Sequence, residues 1–345
     1  MGGGTALVLG GGGPVGWAWM SGVLAGLTDA GVDLDRADVV IGTSAGAILG
    51  SRLTTGETPG EIYERQLVGA DRVAMNVTLS QTLRFLWAAL GSRDPDRSVR
   101  RLARAALAAH PEPDPGFLDV LRPLLHGAEN GGPAETAGHA GQETAGHAGQ
   151  PEARPPHVTR PTHVTRPPQV TRTARTARTA GGWPERDLRI TAVDALTGEV
   201  TAFDATSQVT LLEAVAASCA VPLVSAPVTA AGRRWLDGGC RSTANIDLAG
   251  GYERVLAVAP IPKAVGPHPS AQQQAAELSA GGTAMVLLTP DSVSRRAMGR
   301  DMTADSRRPG AARAGHAQAT EAAGHVAEIW PGRAQPGAAR EPEDR

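Results

Sequence analysis

Apolar positions in the first third of the chain alternate between short runs and helical spacings. Thr5-Ala6-Leu7-Val8-Leu9 is an apolar run flanked by glycines and predicts a buried strand. Trp17, Met20, Leu24 and Leu27 then recur at three- and four-residue spacing, which marks one face of a helix, and Gly31 supplies its stop. Val39-Val40-Ile41 is a second, β-branched run, followed by Ala47, Ile48 and Leu49. The order strand, glycine loop, helix, strand, turn, helix predicts a parallel sheet with helices on both faces. Helical patterns then occupy residues 61–67, 79–90, 98–109 and 117–125. Leu83, Phe85, Leu86, Trp87 and Leu90 form one apolar patch, read as core in preference to a lipid-facing lid.

The pattern is lost over residues 127–182. Thr136 to Glu143 is nearly repeated from Thr144 to Pro151, and Pro155 to Arg160 recurs as Pro161 to Arg166 and Pro167 to Arg172. These repeats hold too few large apolar residues to form a core and predict a disordered insertion. Periodicity returns with strands at 188–193 and 199–203 and a helix of small residues at 211–219, ended by Pro222. Val228-Thr229 and Arg234-Trp235-Leu236 flank Ala231-Gly232 as a hairpin, whose second strand leads into Asp237-Gly238-Gly239. Further strands are expected at 255–261 and 285–288, and helices at 271–278 and 304–328. The expected organisation is one domain in two parts, 5–126 and 183–330, interrupted by 127–182 and followed by a loose polar tail at 331–345.

Candidate chemistry sits at the junctions. Gly42-Thr43-Ser44-Ala45-Gly46 places Gly-x-Ser-x-Gly between a strand and a helix, the context of a nucleophile elbow. Small residues on either side of Ser44 relieve the crowding of such a turn, and the helix N-terminus favours negative charge developing there. Gly11-x-Gly13-x-x-Gly16 fits two uses. As a dinucleotide fingerprint it lacks the acidic residue expected at the end of the second strand. As an oxyanion hole it would offer backbone N–H groups of Gly11, Gly12 and Gly13, with Ala45 assisting. Asp237-Gly238-Gly239 is either a turn or a base.

A serine nucleophile needs a proton acceptor. His268, His316 and His325 follow Asp237, so the order Ser, Asp, His stays open, with His268 the best placed. A dyad in which Asp237 is itself the base is more economical, because partial burial raises a carboxyl pKa.

Composition removes some classes. The net charge is −2 and aromatics make up 3%, which argues against nucleic-acid binding. The two cysteines, Cys219 and Cys240, form neither a disulfide framework nor a metal cluster and suit a reduced, cytoplasmic setting. No signal peptide, myristoylation pattern or membrane-spanning run is read, so lipid contact would be peripheral.

The glycine loop, the Gly-x-Ser-x-Gly elbow and the late Asp-Gly-Gly, in that order, resemble the patatin-like phospholipase family. Ser218-Cys219-Ala220-Val221-Pro222 is similar to that family's Ala-Ser-x-Ala-x-Pro segment. The resemblance runs from about Ala6 to Ile261, insertion excluded. It implies a three-layer α/β/α fold with a mainly parallel sheet. It also implies a Ser44–Asp237 dyad and metal-free, cofactor-free hydrolysis of lipid acyl esters. The motif glycines are Gly11, Gly13, Gly16, Gly42, Gly46, Gly238 and Gly239. The family often carries Arg or Lys where this chain has Val15, so a cation that would help place a phosphate is missing. A non-catalytic lipid-binding or regulatory relative with the same fold is the alternative, ahead of a dinucleotide-binding protein.

Overall fold

In the computed structural model, residues 4–72, 81, 88–125 and 180–330 are described. The two opening apolar runs become neighbouring parallel strands, β1 (Thr5–Leu9) and β2 (Val39–Gly42), with Leu9 opposite Gly42. β7 (Arg254–Val258) lies along the other edge of β1, and β8 (Ala284–Leu288) is parallel to β7. Beyond β2 come β3 (Asp187–Asp194), β4 (Val200–Phe203), β5 (Val228–Ala230) and β6 (Arg233–Asp237). The hydrogen-bonded path is β5-β6-β3-β2-β1-β7-β8, with β4 attached to β3. The four pairings through β1, β2 and β7 are parallel, and β4, β5 and β6 add antiparallel ones. Strands from both sides of residues 126–179 therefore build one sheet. The expected insertion and the tail at 331–345 lie, but for 180–182, outside the described residues.

Alternation along the central strands divides the core into two layers. Leu7, Leu9, Val40, Leu256 and Val258 join the larger cluster, with α1 (Gly13–Asp29), α2 (Ala45–Thr54), α6 (Leu211–Cys219) and α9 (Arg308–Ile329). Ala6, Val8, Val39, Ile41, Val255 and Ala257 join the second, against α7 (Ala271–Ala280). Helices on both faces of a mostly parallel sheet give the three-layer α/β/α arrangement. The remaining helices are α3 (Pro59–Leu67), α4 (Pro95–Ala109), α5 (Gly116–Leu125) and α8 (Ser292–Met298).

Three details depart from the sequence reading. The helix expected from residue 304 begins as a short 3₁₀ turn at Asp305–Arg307 and becomes α-helical at Arg308. Helix α8 was not foreseen: it is too short to show periodicity, although Asp291 caps it by accepting from the Ser294 N–H at 2.6 Å. Of the apolar patch, Leu83, Phe85, Leu86 and Trp87 lie outside the described residues, while Leu90, expected in the core, is 65% exposed.

Helices α1 and α9 pack backbone to backbone. A Cβ added at Gly22 or Gly315 would overlap a carbonyl oxygen of the other helix, Ala312 and Trp19 respectively. This contact is closer than side-chain-mediated packing allows, so both positions require glycine.

Candidate active site

The sheet brings the candidate residues together by register. β4 occupies one edge of β3 at Ile190–Val193. β2 and β6 therefore share the other edge, where Gly42 pairs with Ile190 and Asp237 with Ala192. The two strands run towards each other along β3, and their ends meet at Thr191. Thr191 Oγ1 lies 2.8 Å from Thr43 Oγ1, immediately before Ser44. Asn245, buried and left-handed with φ 48°, donates from Nδ2 to Thr43 Oγ1 at 3.1 Å and to the Gly238 carbonyl at 3.3 Å. The serine turn and the aspartate turn are thus tied to each other from below.

Ser44 stands at the N-terminus of α2 with φ 54° and ψ −117°, a strained backbone for a non-glycine residue. Strain of this kind costs about 1–3 kcal/mol and persists only where the surroundings enforce it. Its N–H donates to Ser218 Oγ at 2.8 Å. A Cβ on Gly42 would sit 2.6 Å from Ala47 Cα, and one on Gly46 would overlap the Leu9 carbonyl oxygen. The turn therefore closes only with glycine on both sides.

Asp237 is 4% exposed and accepts from the Gly239 N–H at 2.7 Å. Burial pushes its carboxyl up to about 6, while the Gly239 N–H that donates to it and the nearby Ser44 hydroxyl hold it down. The Ser44 hydroxyl and the Asp237 carboxylate therefore lie near each other. Burial and the Asp237 charge also push the Cys219 and Cys240 thiols well above their ordinary value, so both stay neutral beside the pair.

Of the glycine loop, Gly11 is already committed: its N–H donates to the Thr243 carbonyl at 2.6 Å. Among the described residues the N–H groups of Gly12, Gly13 and Ala45 have no acceptor. Gly13 and Ala45 line a cavity of about 280 Å³ together with Ser44. The rest of its wall is mainly apolar, with Trp17, Ile48, Phe117, Leu121, Val221 and Val224. None of the cavity-lining residues among those described carries a charge. Gly16, further along α1, packs against Pro260, and a Cβ on Gly238 would overlap the Thr191 hydroxyl.

The histidines lie elsewhere. His316 pairs with Asp29 at 2.8 Å and His325 with Glu328 at 3.1 Å. His268 is buried, its Nε2 has no partner among the described residues, and burial together with the Arg241 charge lowers its pKa. Val15 is fully buried in α1 and is not a cavity residue. Sequence reasoning did not single out Thr43, Thr191 or Asn245. Their contacts link positions as much as 202 residues apart, a distance over which the local pattern gives no signal.

Comparison with known proteins follows the same residues. A family model described as patatin-like phospholipase matches residues 7–249. No curated protein matches the chain at a significant level. Among solved structures, VipD from Legionella pneumophila aligns over 94% of this chain and 67% of its own, at 13% identity and a TM-score of 0.42. Among the described residues no helix is long and apolar enough to cross a membrane. The matched span exceeds half of the chain and takes in the glycine loop, the serine elbow and Asp237-Gly238-Gly239, and on that ground the chain belongs to the patatin-like phospholipase family.

Proposed function

We propose that this protein hydrolyses lipid acyl esters through a Ser44–Asp237 dyad and an acyl-enzyme. The observation that carries the reading is the meeting at Thr191 of the strained Ser44 turn, which lines an apolar cavity, and the strand that ends in buried Asp237. In the first half-reaction Asp237 takes the Ser44 proton as Oγ attacks the acyl carbonyl carbon. The carbonyl electron pair moves onto oxygen, facing the N–H groups of Gly12, Gly13 and Ala45. Collapse expels the alcohol, which leaves with the proton from Asp237. Water, deprotonated by Asp237, then attacks the acyl carbon, and the Ser44 Oγ leaves with that proton, releasing the acid and restoring the hydroxyl and the carboxylate.

A carboxylate of pKa about 6 is a stronger base than an exposed aspartate at about 3.9, and at neutral pH it remains ionised. Each lost oxyanion donor typically costs on the order of 10²–10³ in rate. Gly11 has a different part: it allows close approach, since a Cβ there would lie 3.3 Å from Ser44 Cβ. The substrate partner is a lipid ester reached at a membrane surface. Val120, half-exposed and lining the cavity, supports that approach. The free thiols of Cys219 and Cys240 suit a reducing, cytoplasmic compartment.

The test is p-nitrophenyl ester hydrolysis with Ser44→Ala and Asp237→Asn, alongside fluorophosphonate labelling. Loss of turnover in both, and labelling at Ser44 alone, supports the dyad. A wild-type protein that neither labels nor turns over ester, yet binds fatty acid, supports the non-catalytic lipid-binding alternative instead.

A further inference from the structure

One wall of the cavity beside Ser44 is buried and fixed. Trp17 lines it and is 1% exposed. Two guanidinium groups touch the same indole: Arg52 Cζ lies 5.6 Å from the ring centroid and Arg308 Cζ 5.7 Å. Neither arginine lines the cavity, so Trp17 stands between an apolar space and a buried ionic cluster.

That cluster is held from every side. Both arginine side chains are 0% exposed. Arg52 pairs with Glu57 and, at 2.6 Å, with Asp71, which Arg65 also grips. Arg308 donates to Gln66 Oε1 at 2.7 Å and pairs with Asp305 at 2.9 Å. Moving the indole aside would open the ion pairs to a methylene chain that cannot replace their hydrogen bonds, which is strongly unfavourable in a buried site. The contact between the charged groups and the ring further fixes the ring in place.

We propose that Trp17 is the floor of the acyl site and restricts this protein to medium-length acyl groups. The inference rests on the acyl-ester reading and adds the length of the chain accepted. An apolar protein cavity of about 150 Å³ takes benzene, so one of about 280 Å³ takes roughly eleven non-hydrogen atoms, the size of octanoate or decanoate. The acyl group runs from Ser44 past Ile48 and Leu121 to the indole. A longer chain must leave its end in solvent.

The experiment separates the length limit from catalysis. Ser44→Ala protein is titrated calorimetrically with straight-chain fatty acids from hexanoate to palmitate, alone and combined with Trp17→Phe or Trp17→Ala. Wild-type enzyme is assayed on the matching p-nitrophenyl esters. Affinity is expected to peak at octanoate or decanoate, with palmitate weaker by roughly ten-fold or more. Trp17→Phe, the smaller aromatic that keeps a ring against the arginines, moves the peak to a longer chain, and Trp17→Ala moves it further. Affinity that rises steadily through palmitate, or a Trp17→Phe profile matching the parent in a protein that melts cooperatively, overturns the proposal. Should Trp17→Ala fail to fold, Trp17→Phe decides alone. The binding series stands even if no ester is turned over, so failure of the dyad and failure of the length limit give different results.

Discussion

Ser218 Oγ accepts the backbone N–H of Ser44 across 2.8 Å, joining the end of α6 to the strained turn of the elbow. Ser218 is fully buried, so removing its hydroxyl leaves the N–H without an acceptor and without water. Ser218→Ala is expected to cost about 1–3 kcal/mol in stability, read by urea denaturation. Because Ser218 acts through Ser44, kcat should fall while KM changes little. A rise in KM with kcat unchanged would instead mark a contact with substrate.

Asp237 sets the pH dependence. It must be ionised to accept a proton, so kcat/KM should fall on the acid side with a midpoint near pH 6. An acid limb near pH 4 would mean that the carboxylate is far better solvated than its burial implies.

The same shift predicts a stability effect of opposite sense. The folded pKa of about 6 lies above the ordinary 3.8, so the folded protein holds the proton more tightly than the unfolded chain. That stabilisation is complete below about pH 3.8 and is lost as the pH rises through about 6. At neutral pH Asp237 therefore destabilises the fold by an amount on the order of 3 kcal/mol at most, at 1.36 kcal/mol per pKa unit. Asp237→Asn, which keeps an acceptor for Gly239, should abolish turnover and raise Tm at pH 7. Its Tm gain should vanish at pH 4.

Gly46 and Gly60 make a matched pair, since both lie in helices. A methyl group at Gly46 would overlap the Leu9 carbonyl, whereas one at Gly60 meets nothing within 4 Å. Gly46→Ala should prevent the elbow from closing and give misfolded or strongly destabilised protein. Gly60→Ala should be neutral or stabilising by up to about 1 kcal/mol. Thermal melts of the two variants check the contrast.

How much of this was legible beforehand follows from how local each signal is. Val39 to Gly46 carries strand, turn and helix within one short stretch, and its small residues report the crowding they relieve. The parallel alternation at the start of the chain likewise foretold helices on both faces. Asp237 was different: Asp-Gly-Gly reads as a turn on its own, and only the antiparallel approach of β6 to the end of β2 gives the carboxylate its neighbour. The commitment of the Gly11 N–H to Thr243 and the tie from Asn245 to Thr43 depend on segments far apart in the chain. So does the burial of His268, which a proline-rich stretch presents as an exposed turn. Helix α5 was read as a helix, but nothing in its own residues says that Phe117 and Leu121 face the cavity.

The glycine loop has its outer supports beyond residue 249, where the family match ends. The Gly10 N–H donates to Val258 and the Val15 N–H to Met302, while Pro260 fills the space against Gly12. Helix α9 then locks the body of α1 through the glycine contacts at Gly22 and Gly315. A shortened protein ending at the homology boundary would keep every motif letter and lose the scaffolding that aims the amides, so recombinant work on this protein must retain residues 250–330.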